Sequence, residues 1–235
     1  MSPKKTDQKI VAIITARGGS KGLIGKNVAS LSGKPLITHT INAAKKSKLI
    51  DDVVVTTDDF VIEAVAKEND VKIINRPNDL AADDSSSYDA VKHALDTLKS
   101  DGQTHTHFIL LQPTSPLRNE QHIDEALSGF LNTNYNSCMS ICAVDHHPYK
   151  MLKINQNSAL EPLQGAEHLD APRQKLPDIY RQNGAIYIMG CDDFFHKTNN
   201  FYLEPVMPYV MDARSSVDID TQADLDIAEL YLSHD

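Results

Sequence analysis

Tryptophan is absent from this sequence of 235 residues, and aromatic residues of all kinds make up only 6% of it. Proteins that bind single-stranded nucleic acid use aromatic side chains as stacking platforms along a basic groove. No aromatic stripe is interleaved with basic residues here, so nucleic-acid binding is not expected. No apolar run approaches the ~18 residues of a membrane span, and the N-terminus has no cleavable apolar segment. We therefore expect neither a membrane partner nor secretion.

Cysteine is scarce as well. Three residues form an odd number, which argues against a disulfide framework in a chain of this length. Cys138 and Cys142 would lie ~13 Å apart along a strand, too far to form a disulfide. We expect free thiols and a cytoplasmic protein.

The net charge of −9 is unevenly distributed along the chain. Residues 1–50 contain ten Lys or Arg and one acid, a balance of +9, whereas the other 185 residues contain 13 basic and 31 acidic residues, a balance of −18. A locally positive segment within an acidic protein suits a phosphate site better than a broad nucleic-acid surface. Three of its cations, Arg17, Lys21 and Lys26, lie in a glycine-rich loop.

Strand and helix patterns alternate over the first 112 residues. Strands are predicted at Lys9–Thr15, Asp52–Thr57, 71–74 and His107–Gln112, with helices opening at Pro35, after Asp58 as N-cap, and through about Lys99. The predicted inner face of the second helix is Val61, Ile62, Val65 and Ala66. This order indicates an α/β fold with a central, mostly parallel sheet flanked by helices, whose ligands bind beyond the carboxyl ends of the strands.

The second half is less regular. Strands are predicted at Ser137–Val144, Asn183–Met189 and Val206–Met211, followed by a last helix capped by Thr221 with Leu225, Ile227, Ala228 and Leu232 as its apolar side. We interpret residues 1–235 as one domain. Residues 145–205 are interpreted partly as an insertion that serves a substrate or a second subunit.

The loop after the first strand, Gly18-Gly19-Ser20-Lys21-Gly22, fits several known patterns only superficially. The Walker and dinucleotide motifs fail, because Ser20 stands where each requires glycine and Asn27 stands where the Walker motif requires Ser or Thr. The loop is literally G-x-S-x-G, the hydrolase nucleophile elbow, but only 17 residues precede Gly18, too few for the strands and oxyanion loop that come first. A phosphate-binding loop is the favoured interpretation and a purely structural turn the alternative.

Seven segments in order resemble the acylneuraminate (CMP-sialic acid) cytidylyltransferases, which include CMP-legionaminic acid synthetases. They are Ala16–Leu23 with Gly25-Lys26-Asn27, Thr56-Thr57-Asp58, Asn75-Arg76-Pro77 with Leu80-Ala81, Leu110–Arg118, Pro172-Arg173-Gln174, Arg181–Ala185 and Asp218–Thr221. The resemblance spans almost the whole chain. It implies a Rossmann-like nucleotidyltransferase fold with a small dimerisation insertion, a homodimer, and Mg²⁺-dependent transfer of CMP from CTP to the anomeric hydroxyl of a nonulosonic acid.

The resemblance also implies roles for individual residues on the nucleotide side. Catalytic roles fall to Arg17, Lys21 and Asp218; CTP is bound by Arg17, Ser20, Lys21, Lys26, Asn27, Arg76 and Ser87. Fixed cations beside the phosphates would stabilise the charge that grows on the leaving pyrophosphate. For Ser87, a helix N-cap is an equally good interpretation.

Asp218 and Asp220 are the expected Mg²⁺ ligands. Two residues apart on an extended segment, their carboxylates point the same way, and oxygen ligands on one face suit Mg²⁺. The alternative is that Asp220 only caps the last helix.

For the acceptor, the resemblance implies Gln112, Lys150, Arg173, Arg181, Asn183, Phe201 and Tyr202 as sugar-binding residues. A guanidinium meets a carboxylate with two parallel hydrogen bonds, which suits the acid group of the sugar. Phe201 and Tyr202 would reach across the dimer, although a core or interface role is an equal alternative.

Three other functions remain as alternatives. One is CMP activation of 3-deoxy-manno-octulosonate; the others are a nucleotide-sugar glycosyltransferase and a non-catalytic nucleotide-binding protein. The glycosyltransferase D-x-D motif usually ends a strand in mid-chain, whereas Asp218-Ile219-Asp220 lies near the C-terminus.

Overall fold

The structure, a computed structural model, describes residues 7–19, 22–81 and 85–234. The strands are β1 (Ile10–Thr15), β2 (Ser30–Leu31), β3 (Lys34–Pro35), β4 (Asp52–Thr57), β5 (Lys72–Asn75), β6 (His107–Leu110), β7 (Ser137–Ala143), β8 (Leu152–Ile154), β9 (Leu160–Pro162), β10 (Tyr180–Gly190) and β11 (Val206–Val210). The helices are α1 (Leu36–Lys46), α2 (Phe60–Glu68), α3 (Ser87–Ser100), α4 (Glu120–Leu131), α5 (Cys191–His196) and α6 (Gln222–Leu232).

Seven strands form the central sheet in the order β11-β7-β10-β6-β1-β4-β5. β10 runs antiparallel to both of its neighbours, β6 and β7, while the other neighbouring pairs are parallel. The predicted α/β fold with a mostly parallel sheet is confirmed. Within the predicted insertion, β8 and β9 form a separate antiparallel hairpin.

The first strand shows why its sequence is almost continuously apolar. Ile10, Ala12 and Ile14 pack with residues of α1, α2 and α4 on one face of the sheet, whereas Val11 and Ile13 pack with residues of α3 and α5 on the other. Because successive side chains of a strand point to opposite faces, a strand covered on both faces needs apolar residues throughout.

Three details of the helix predictions are wrong. The N-cap of α2 is Asp59, whose carboxylate accepts hydrogen bonds from the amides of Val61 and Ile62, and not Asp58. Val61, at the start of this helix, is 41% exposed and not part of its inner face. In α6 the Thr221 cap is confirmed, but Ile227 is 44% exposed and also lies outside the apolar side.

A smaller cluster joins the end of the chain to its beginning. Leu225 and Ala228 of α6 pack with Ile219 against Leu31 and Leu36, next to the β2–β3 hairpin. This packing brings the segment before α6 close to the loop that follows β1.

The three cysteines are free and buried. Within the described ranges, no helix combines the length and the apolar character needed to cross a membrane.

Candidate active site

A cavity of about 390 Å³ lies at the edge where the parallel strands end. Its walls include seven of the residues predicted from sequence, namely Arg17, Lys26, Asn27, Arg76, Ser87, Gln112 and Asp220. These come from the segments after β1, β5 and β6, the start of α3 and the segment before α6. The carboxyl ends of parallel strands meet at one edge of a sheet, which is why residues so distant in sequence share one cavity.

The glycine-rich loop is held by side chains from neighbouring segments. The Asn27 amide donates to the carbonyl oxygen of Arg17 at 2.9 Å, and the Asp58 carboxylate accepts a hydrogen bond from the amide of Gly18 at 3.1 Å. Asp58 is therefore a loop-holding residue. Two predicted residues of this loop, Ser20 and Lys21, lie outside the described residues.

Two glycines of this loop pack against its neighbours too closely for a side chain. A Cβ at Gly22 would lie well inside 3.0 Å of the carbonyl oxygen of Asp220, and a Cβ at Gly18 would lie 2.6 Å from Oδ2 of Asp59. Close backbone approach is what glycine permits and every other residue prevents.

An ion pair connects the loop to the predicted metal ligands. Lys26 Nζ lies 2.9 Å from Oδ1 of Asp220, with the lysine side chain 14% exposed and the aspartate side chain 70% exposed. The positive segment of the chain and its acidic C-terminal part thus meet inside the cavity. Arg17 lines the same wall.

Arg76 is a cation built into the floor of the cavity. It is 8% exposed, its Nη2 donates to the carbonyl oxygen of Thr56 at 2.8 Å, and its own amide donates to the carbonyl oxygen of Thr57. Burial lowers the pKa of Arg76, an effect that the negative charge of Asp58 opposes and the positive charge of Arg17 reinforces. The guanidinium is fixed in place before any ligand binds.

The start of α3 forms another wall. The N-cap is Ser86, which accepts a hydrogen bond from the amide of Asp89, so the interpretation of Ser87 as the N-cap is wrong. Ser85, Ser86 and Ser87 all line the cavity. A helix N-terminus carries unpaired amides and a positive partial charge, both favourable to an anion.

Asp218 and Asp220 flank a buried residue. Ile219 is fully buried and its amide donates to the carbonyl oxygen of Thr114 at 2.8 Å. Burial raises the pKa of Asp218; a hydrogen bond from Thr114 lowers it, the charge of Asp220 raises it, and the charges of Lys26 and Arg181 lower it. The two carboxylates are thus near enough to repel each other.

Two carboxylates fit the way proteins hold Mg²⁺. The described residues contain no group of three or more His, Cys, Asp and Glu side chains arranged to hold a metal ion. Mg²⁺ is commonly bound by one or two carboxylates together with substrate phosphates and water, so Asp218 and Asp220 suffice for such a site.

On the acceptor side, the structure separates the predicted residues. Gln112 lines the cavity, and Arg181 lies close enough to Asp218 to lower its pKa. Asn183 is 1% exposed; its amide donates to Ser216 Oγ at 2.8 Å and its carbonyl accepts from Ser140 Oγ at 2.6 Å. These bonds hold the Asn183 side chain inside the fold, a position that does not support a direct sugar contact.

The other four predicted sugar-binding residues lie away from this cavity. Lys150 and Arg173 line a second cavity of about 550 Å³ with Asp145, His146 and His147. The Phe201 ring stacks on that of Phe194, with centroids 5.9 Å apart, so the partly buried Phe201 packs against the core. Tyr202 is 55% exposed, and its hydroxyl donates to Glu204.

Sequence reasoning missed Thr114 and Ser86 as residues of the site. Thr114 lines the cavity and bonds Asp218, and Ser86 caps the helix whose N-terminus faces the cavity. Thr114 lies in the Leu110–Arg118 segment, and its place directly after a buried strand was the available signal.

Comparison with known proteins gives relatives over nearly the whole chain. The family model described as cytidylyltransferase matches residues 11–232. The N-acylneuraminate cytidylyltransferase of Escherichia coli is 35% identical over 220 residues, which are 94% of this chain and 51% of that protein. The CMP-N,N'-diacetyllegionaminic acid synthase of Legionella pneumophila is 35% identical over 226 residues, covering 94% of this chain and 95% of that protein.

The chain thus spans about half the length of several curated relatives it matches and nearly the full length of others. Among solved structures, CMP:2-keto-3-deoxy-manno-octonic acid synthetase in complex with CTP superposes with a TM-score of 0.72 at 19% identity, covering 97% of this chain and 99% of that one. At this identity the likeness shows the fold alone.

Proposed function

Because the chain belongs to the cytidylyltransferase family, we propose that it transfers CMP from CTP to the anomeric hydroxyl of a nonulosonic acid, with release of pyrophosphate. The acceptor would be a sialic acid or a legionaminic-type congener. One observation carries the proposal: a single cavity joins the cations of the glycine-rich loop to the carboxylate of Asp220 through the pair with Lys26.

The cations of the cavity suit a triphosphate. Arg17, Lys26 and Arg76 provide positive charge, and the N-terminus of α3 adds backbone amides. As the bond to the α-phosphorus of CTP breaks, negative charge grows on the departing pyrophosphate. Cations held in place beforehand stabilise that charge without reorganising during the reaction. We assign Lys21 and Ser20 to the same task from their place in the loop.

Mg²⁺ is proposed as the cofactor, with Asp218 and Asp220 as its protein ligands. When bound, the ion would supply charge to the phosphates and acidify the attacking hydroxyl. Lys26 would exchange Asp220 for a phosphate oxygen when CTP enters. Its flexible side chain and compact charge allow it to change partners.

We propose that the acceptor binds beside Gln112 and Arg181, next to Asp218. Arg181 is suited to the acceptor's carboxylate, because a guanidinium can bind it through two parallel hydrogen bonds. This position would hold the anomeric hydroxyl near the α-phosphate for an in-line displacement. Asn27 is proposed to contact the ribose, and Ser87 the nucleoside.

The experiment that tests this function is a pyrophosphate-release assay with CTP and Mg²⁺. The acceptors would be N-acetylneuraminic, legionaminic, pseudaminic and 3-deoxy-manno-octulosonic acids. We expect turnover with a nonulosonic acid, and a loss of ~100-fold for Asp218→Asn or Asp220→Asn, the scale seen when one transition-state contact is removed. The matched control is Asp226→Asn, an exposed carboxylate on α6. Release of no pyrophosphate with any of the acids would refute the proposal; turnover with the octulosonic acid alone would favour the alternative.

A homodimer is proposed from an exposed apolar surface on the insertion. Its members are Met151, Leu152, Ile154, Leu160, Leu163 and Tyr180, each at least 40% exposed. Ile154 and Leu160 are partners across the β8–β9 hairpin, at 73% and 70% exposure. Contiguous exposed apolar side chains mark interaction surfaces.

Light scattering after size-exclusion chromatography would test the dimer. We expect twice the mass of one chain for the native protein and a single-chain mass for the variant carrying Ile154→Lys and Leu160→Lys. Leu230→Lys, at an apolar and 56% exposed position on α6, is the control.

A cytoplasmic location is proposed as well, since the three buried cysteines are free.

A further inference from the structure

Arg118 is a fully buried arginine just behind the candidate site. It lies between β6 and α4, is 1% exposed, and is among the largest fully buried side chains. Nη1 donates to the carbonyl oxygens of Gln112 at 3.2 Å and Ala185 at 3.0 Å, while Nη2 donates to Thr40 Oγ1 at 2.8 Å. None of these three hydrogen bonds goes to a carboxylate.

Packing alone does not explain the buried guanidinium of Arg118. Burial lowers the pKa of Arg118 to about 9, which is still above neutral, so the guanidinium stays charged at pH 7. Its Nε has no hydrogen-bond partner among the described residues. Apolar residues of similar volume often stabilise a core as well as or better than buried ions do, so packing alone does not account for an arginine here.

The segments that Arg118 joins form the acceptor side of the cavity. Gln112 lines the cavity at the end of the β6 segment, and Ala185 follows Gly184, whose φ is +74°. A Cβ at Gly184 would lie 2.7 Å from Oε1 of Gln112, so this side chain and the Gly184 backbone pack in direct contact. One guanidinium thus ties the two backbones together from behind.

The nucleotide side is held differently. The glycine-rich loop is fixed by Asn27 and Asp58, and Arg76 by Thr56. The hydrogen bonds of Arg118 reach none of these residues. Disturbing Arg118 should therefore move the acceptor side of the cavity and leave the nucleotide side in place.

We propose that Arg118 is a positioning residue that fixes Gln112 and the Gly184 turn for the acceptor acid. The inference rests on the proposed function of the same site. It predicts that the affinity for the acceptor depends on Arg118, whereas the affinity for CTP does not. A residue needed only for stability would not affect the two affinities differently.

The test is steady-state kinetics with each substrate varied in turn. Arg118→Lys keeps the charge but offers one nitrogen in place of the planar fork, so we expect the KM for the acceptor to rise ~10-fold, with the KM for CTP within about twofold of the native value. Thr40→Val leaves the arginine in place but removes the hydroxyl that accepts from Arg118 and donates to the carbonyl oxygen of Gln112 at 3.5 Å. We expect the KM for the acceptor to rise ~3-fold in Thr40→Val and to keep its native value in Thr40→Ser, which retains the hydroxyl. Equal rises in the KM values of both substrates, or no rise in either KM, would overturn the proposal.

A separate core variant excludes a general effect of lost stability. Phe130 lies in α4, is 6% exposed and is distant from Gln112 in sequence. Phe130→Leu should lower the melting temperature without changing the KM for the acceptor relative to the KM for CTP. If Phe130→Leu raises the acceptor KM as much as Arg118→Lys does, Arg118 is structural only and the proposal fails. If Arg118→Lys does not fold, Thr40→Val and Thr40→Ser decide: the proposal requires that Thr40→Val alone raise the KM for the acceptor while the KM for CTP stays unchanged.

Failure of the proposed function would be visible separately. A native protein that turns over none of the acceptors removes the catalytic premise. Crystal structures of the native protein and of Thr40→Val would then decide the positioning role. A shift of Gln112 relative to Gly184 in Thr40→Val supports it, and unchanged positions overturn it.

Discussion

Replacing Gly22 by alanine should separate the glycine-rich loop from the predicted metal ligands. A Cβ at this position would lie well inside 3.0 Å of the Asp220 carbonyl oxygen, and ordinary contacts begin at 3.4 Å. The neighbour is backbone and not the end of a flexible side chain, so relief requires the loop or the Asp220 segment to move by roughly 1 Å. A misplacement of about 1 Å at a catalytic site costs on the order of 100-fold in rate.

Such a loss corresponds to about 2.7 kcal/mol in the activation free energy. It should appear in kcat and in kcat/KM for CTP, measured by pyrophosphate release, because Lys26 and Asp220 would no longer face the same phosphates. Stability should change less than the rate, since Gly22 and Asp220 belong to none of the three apolar clusters, and only the adjacent Leu23 and Ile219 contact the smallest of them. The melting temperature, followed by circular dichroism, provides that comparison.

The matched control is Gly190→Ala, since its Cβ would meet its nearest atoms at 3.9 Å, an ordinary contact, and its φ is −67°. It should retain nearly native kinetics. A Gly22→Ala enzyme whose kcat/KM for CTP stays within about threefold of the native value would refute the argument, because it would mean that the loop and the Asp220 segment can move apart without consequence.

Three further predictions follow from other contacts. Gly184→Ala places a side chain at φ +74° and 2.7 Å from Oε1 of Gln112; we expect destabilisation of ~1–2 kcal/mol in urea unfolding and a higher acceptor KM, and native values for both would contradict this. Lys26→Met removes the cation paired with Asp220, and the KM for CTP should rise at least ~10-fold in initial-rate assays; an unchanged KM would show that Lys26 does not bind phosphate. Burial raises the pKa of Asp52, but hydrogen bonds from His105 and Lys9 outweigh this effect and hold the pKa below the usual range of an aspartate. Asp52→Asn should therefore destabilise the protein at pH 7, with the difference from native shrinking as the pH falls through that lowered pKa; a pH-independent difference in urea unfolding would contradict it.

The sheet could be predicted from sequence where burial dictates the pattern. β1 is apolar at every position from Ile10 to Ile14 because helices cover both of its faces, and such a run is visible without a structure. The antiparallel insertion of β10 between β6 and β7 could not be predicted, because strand order depends on contacts between distant segments. The predicted start at Asn183 was late by three residues, since the first three residues of β10 are exposed and show no buried apolar pattern.

The residues of the candidate site could also be predicted from sequence only in part. Arg17, Lys26 and Gln112 follow directly from their place after parallel strands, and the structure brings them into one cavity. Asn183 and Phe201 have the residue types of ligand-binding side chains, yet one belongs to a buried hydrogen-bonded network and the other to an aromatic cluster. Residue type alone does not distinguish a polar side chain that meets a ligand from one that supports the chain beneath it, because that depends on exposure.

An apolar cluster holds the positive segment near the start of the chain next to the acidic segment near its end. The segment carrying Asp218 and Asp220 is positioned by Ile219, which packs with Leu225 against the region of the β2–β3 hairpin, and the hairpin follows the glycine-rich loop directly. Apolar packing therefore sets the distance between the cations and the carboxylates, and the Lys26–Asp220 pair lies at the end of that packing. Because an ion pair with one largely exposed partner contributes little stability by itself, the apolar cluster, and not the attraction of opposite charges, keeps these groups together. The pair is then free to open for a phosphate and a metal ion without loosening the fold.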